Sequence, residues 1–152
     1  MKAIWGKALI LGALLVGNQS IAAQLHPKTF QIIRCEFIYS FTAQLMQLQN
    51  NNGAAVALFR RSAMMTTANF MLNEEKGVIA DWKIQKFKEI RPALKRALDT
   101  GELNAIQEAG NCDKTAIPMA KEVRDTQPVL WGKSFDELHE IFFLKMKSSM
   151  GL

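Results

Sequence analysis

The stretch TFQIIRCEFIYSFTAQLMQLQNNNG, residues 29–53, decides the fold class. Phe30, Ile33, Phe37, Phe41, Leu45 and Leu48 recur every three or four residues, the repeat of a helix and not the two-residue alternation of a strand. Pro27 stands just ahead, where a first helical residue tolerates the loss of an N–H that no helical carbonyl could reach. Asn50-Asn51-Asn52-Gly53 closes the run, because asparagine and glycine favour turns.

The same period continues downstream. Ala54 to Leu72 places Leu58, Met65, Ala68 and Leu72 on one side, and Asn73-Glu74-Glu75-Lys76-Gly77 follows as a polar loop. From Ile79 or Asp81 a third segment carries Phe87, Ile90, Leu94 and Leu98 straight through Pro92, which predicts a kinked helix or two nearly collinear ones, with Gly101 as the stop. A short helix is expected over Glu102 to Ala109, then a tight turn at Gly110-Asn111-Cys112-Asp113 presenting the cysteine. Residues 114–133, broken by Pro118, Pro128 and Gly132, predict irregular chain with one helical turn near Met119 to Val123. Ser134-Phe135-Asp136-Glu137 reads as a capping box ahead of Phe135, Leu138, Phe142 and Met146. With no strand-like alternation and no hairpin dipeptide between strand-like runs, the expected fold is an all-α, single-domain bundle of four or five helices.

The first 23 residues read differently. Lys2 and Lys7 precede an apolar run from Ala8 to Gly17, followed by polar Asn18-Gln19-Ser20 and then Ile21-Ala22-Ala23. A basic start, a short apolar run and small residues at its end make a cleavable signal peptide. The run is about half the roughly 20 residues that a spanning helix needs. Residues 1–23 are therefore expected to be a signal peptide and 24–152 the helical domain, exported to the periplasm, with full secretion as the other destination. The chain of 152 residues has a net charge of +5, and loss of two lysines leaves the mature part at +3.

Cys35 and Cys112 are the only cysteines. In an oxidising compartment an even count reads as a disulfide, and neither has the Cys-X-X-Cys partner of a redox site.

Catalytic patterns fail one by one, and the chain is expected not to be an enzyme. His139-Glu140 opens like a zinc-protease helix, but Phe143 stands where the second histidine belongs. Ser134, Asp136 and His139 on one short helix cannot place a base between nucleophile and orienting acid. His26 lies near the start of the mature chain, and adjacent Glu74 and Glu75 look like a solvated helix end and not an acid/base pair across a cleft. Gly6, Gly12 and Gly17 fall in the signal peptide and form no phosphate loop. Seven mature methionines (Met46, Met64, Met65, Met71, Met119, Met146 and Met150) invite a copper or non-covalent haem reading, but without a Met-X-Met cluster core packing is expected, with no cofactor and no metal site.

Charge is the clearest asymmetry. Lys83, Lys86, Lys88, Arg91, Lys95 and Arg96 are opposed only by Glu89 between residues 83 and 96, more positive charge than the whole mature chain carries net. On a helical wheel Lys88, Arg91 and Lys95 flank Phe87, Ile90 and Leu94. They are the expected partner-binding residues, exposed over a buried stripe, facing an acidic protein or an anionic envelope component and not nucleic acid. The leading expectation is a non-enzymatic periplasmic protein that binds a protein partner, as inhibitors and immunity proteins do. The alternative is a carrier holding haem, copper or lipid in the bundle core.

Overall fold

The structure is a computed structural model. It describes residues 26–73, 104–127 and 129–151, and, between 74 and 103, positions 85, 88, 89, 92, 93, 95–97 and 99–102. Residues 1–23, and with them the signal-peptide reading, lie outside the described residues. The elements are α1 (Thr29–Leu48), α2 (Asn52–Asn73), α3 (Ala105–Thr126), a two-stranded hairpin of β1 (Val129–Leu130) and β2 (Lys133–Ser134), and α4 (Phe135–Ser149). Every described position from 85 to 99, Pro92 among them, is helical too, and Gly101 ends that segment at φ +77°. The chain is an all-α bundle tied by one disulfide, as the periodicity predicts.

Helix α1 packs on both α2 and α3, which also touch each other, and α2 carries α4. That position explains why the stripe on α1 is only partly the buried one. Ile33 and Phe37 are buried, but Phe30 is 45% and Leu48 80% exposed. The core instead takes Ile32, Cys35, Ile38, Tyr39 and Ala43, with polar Thr29, Glu36 and Thr42. A helix covered from two sides buries more than one stripe, and large apolar spacing alone follows only one.

A polar seam sets the register of α1 on α2. Ser40 and Ser62 hydroxyls meet at 2.7 Å, the Thr66 hydroxyl donates to Glu36 Oε1 at 2.7 Å, and Asn73 Nδ2 donates to Thr29 Oγ1 at 2.8 Å. Rising numbers on α1 meet falling numbers on α2, so the pair is antiparallel. Sliding one helix by a turn would unpair several buried polar groups at once, each costing about 1–3 kcal/mol. The apolar contacts around them would tolerate such a slide better.

Helix α3 corrects the sequence expectation most. One helix runs from Ala105 to Thr126, through the expected turn at Gly110–Asp113 and through Pro118. Asn104 caps it, its side chain accepting from the N–H groups of Ile106 (3.1 Å) and Gln107 (3.0 Å). Its buried residues are Ala109, Cys112, Ala116, Ala120 and Val123, a helical spacing written in small side chains. Pro118 leaves the carbonyl of Lys114 without its helical partner, yet both residues are exposed, so water can satisfy that oxygen. Cys112 sits mid-helix with its Cα 5.6 Å from that of Cys35, so the disulfide joins α1 to the flank of α3.

The hairpin is the second correction. Val129 pairs with Ser134 and Leu130 with Lys133, antiparallel. Trp131 (φ +52°) and Gly132 (φ +72°) form its turn. Two central residues at positive φ make the turn whose twist matches a two-residue hairpin. Helix α4 follows directly. The Ser134 hydroxyl accepts from the Glu137 N–H at 3.2 Å, and Glu137 Oε2 accepts from the Ser134 N–H at 2.7 Å, the expected capping box. Hydrogen bonds from the Ser134 backbone, then from its hydroxyl, hold the Glu137 carboxyl below its ordinary range. Ser134→Ala is expected to cost about 1 kcal/mol, read as a lower urea midpoint at unchanged slope. An unmoved midpoint would mean that the cap is dispensable.

Candidate functional site

Three places stand out: the basic segment, the hairpin tip and a cleft beside the disulfide. In the basic segment, Lys88, Lys95 and Arg96 are exposed on helical backbone. Lys95 pairs with Asp99 one turn on. Arg91, together with Phe87, Ile90 and Leu94, lies outside the described residues, as do Lys83, Lys86, Glu74 and Glu75.

Other singled-out residues have structural surroundings. His139 Nε2 lies 2.9 Å from the Arg60 carbonyl oxygen. The Arg60 guanidinium in turn covers the Phe143 ring at 4.0 Å and meets Glu140 at 2.8 Å. Phe143, where a metal motif would need histidine, is a buried anchor of α4. Met65 and Met71 are in the core, and Met46, Met64, Met146 and Met150 pack against it. Among the described residues no three His, Cys, Asp or Glu side chains group as a metal site.

The hairpin tip was not legible as a site. Trp131 is 57% exposed, and its inner edge rests on Phe70 at 5.7 Å between ring centroids, with Phe142 stacked behind Phe70 at 5.3 Å. Neighbouring Val129 is exposed as well. A bulky residue at positive φ is uncommon, and such strain gathers at functional positions. The available signal was Trp-Gly between Val-Leu and Lys-Ser, which departs from the usual Asn-Gly of this turn.

The cleft opens between α1, α2 and the first turns of α3, with a volume of about 370 Å³. Met46, Ala57, Leu58 and Ile106 supply apolar wall, and Arg61 and Asp113 stand at its polar end. Asp113 Oδ1 accepts from the Tyr39 hydroxyl at 2.8 Å, and Asp113 Oδ2 lies 3.4 Å from the Arg61 guanidinium. Burial pushes the Tyr39 phenol well above its ordinary range, and its bond to the Asp113 carboxylate adds to that. A second ion pair, Arg34 to Glu108 at 2.5 Å, links α1 to α3.

Together these features define a disulfide-tied helical bundle with a tryptophan-tipped hairpin and an apolar cleft. No family model, no curated protein and no solved structure matches the chain.

Proposed function

We propose that this chain is a non-enzymatic exported protein, acting in the periplasm, that binds an acidic protein partner in the manner of an inhibitor or immunity protein. The observation that carries the reading is Trp131, held half-exposed at positive φ on a hairpin backed by Phe70 and Phe142. Tryptophan on a rigid support gives a partner a large contact area at little cost in conformational entropy, which is why it recurs at interface hot spots. The exposed Lys88, Lys95 and Arg96 favour an acidic partner, because a cationic segment speeds encounter with a negative surface. The Cys35–Cys112 disulfide suits an oxidising compartment, and among the described residues no helix is long and apolar enough to cross a membrane.

The test is affinity capture of the mature protein from an envelope extract, followed by binding kinetics on the captured protein. Trp131→Ala is expected to raise the dissociation rate. Lys88→Glu with Arg91→Glu and Lys95→Glu is expected to slow association at low salt and to flatten its salt dependence. A captured partner that binds the Trp131→Ala variant and the triple variant as it binds the parent would overturn the reading, and so would failure to capture any protein.

A further inference from the structure

The cleft beside the disulfide differs in chemistry from the hairpin tip, and Trp131 does not line it. Its volume of about 370 Å³ falls within the range of small-molecule sites, roughly 300–1,000 Å³. Most of its lining is apolar, and Ala54, Ala57, Ala109 and Gly110 keep it open by being small. Ile106, on its rim, is 65% exposed in the first turn of α3. An apolar side chain left that exposed on a concave wall is one that an apolar ligand would cover. Met46 can adapt to such a ligand, since its unbranched side chain repacks readily.

The polar end selects the headgroup. Asp113 is already engaged from two sides, by the Tyr39 hydroxyl and the Arg61 guanidinium. Arg61, by contrast, meets Asp113 only at 3.4 Å, longer than the roughly 2.7–2.9 Å of a close charge-assisted hydrogen bond. A guanidinium carries five donors, so Arg61 keeps a fork that matches a carboxylate. A cationic head would instead share Asp113 with the Tyr39 hydroxyl and face the Arg61 charge beside it. At roughly 30 Å³ for each water-sized unit, the cleft accommodates about a dozen non-hydrogen atoms.

We propose that this cleft binds a straight-chain monocarboxylate of about ten carbons, its tail against Met46, Leu58 and Ile106 and its carboxylate on Arg61. The site is independent of the partner surface, so its failure would leave the partner reading where it stands.

Calorimetric titration of the mature, disulfide-bonded protein with decanoate, below its aggregation concentration, tests the proposal. Saturable one-to-one binding is expected, about tenfold or more tighter than that of decanol, because one charge-assisted contact separates the two ligands. Arg61→Gln is expected to erase that preference while leaving decanol affinity unchanged. Ala57→Phe, an exposed cleft-wall position, is expected to abolish binding of both at an unchanged melting temperature. Equal affinity for decanoate and decanol, or an unaltered preference in Arg61→Gln, would overturn the assignment. Tighter binding of decyl phosphate than of decanoate would overturn the carboxylate and point to a lipid phosphate as the source of the head.

Discussion

Reduction of the Cys35–Cys112 bridge is expected to lower the thermal midpoint of the helical domain by about 15 °C. The two half-cystines are 77 residues apart in sequence, so the closed loop takes in α1 from Cys35 onward, all of α2 and the first two turns of α3. Opening a loop that long returns a large entropy to the unfolded chain, about 4.5 kcal/mol on the chain-entropy argument. Domains of this size are stable by only about 5–15 kcal/mol, so the bridge carries a large share. Both cysteines are wholly buried, and the thiols left by reduction still fill their space, so the loss acts through the unfolded state more than through packing. Scanning calorimetry with and without reductant measures the shift. Cys35→Ala with Cys112→Ala is expected to fall at least as far, since it also removes buried sulfur. Equal midpoints with and without reductant, or two titratable thiols in unreduced unfolded protein, would contradict the expectation.

Ala116→Leu is expected to cost about 1–3 kcal/mol. Ala116 is wholly buried one turn beyond Cys112, on the face of α3 that also carries Ala109, Ala120 and Val123. The disulfide holds the two backbones 5.6 Å apart at their Cα atoms only one turn away, which leaves no room for three extra carbons. Pro118, two residues on, gives the matching control. It is exposed, so Pro118→Ala restores a helical N–H without touching the core and is expected to hold or raise the midpoint. Urea unfolding of both variants separates a continuous α3 from an irregular segment. If Ala116→Leu left the midpoint unmoved, the buried seam on α3 would be the wrong description.

Spacing and composition were enough for the helical class, for α1 and α2 within two residues of their ends, for the Ser134–Glu137 cap and for the disulfide pairing. Each rests on local chemistry or on arithmetic: a 3.6-residue repeat, a hydroxyl three residues before a carboxylate, two cysteines that have only each other to pair with. Tertiary structure decided what local preference opposed or left open. Gly110 and Pro118 read as breaks, yet α3 runs through both, because the disulfide and a seam of alanines fix it against the core while the proline faces out. Large apolar spacing could not reveal that seam, since its residues are small. Nor could it show that α1, packed against both α2 and α3, buries Glu36 and Thr42 while exposing Phe30 and Leu48. The candidate sites divide in the same way. A cationic run is visible as a run, whereas the cleft gathers Thr42, Arg61 and Asp113 from three helices, and the hairpin tip needs Phe70 of α2 behind Trp131. Those neighbours meet only because the chain closes on itself, and no one-dimensional period encodes them.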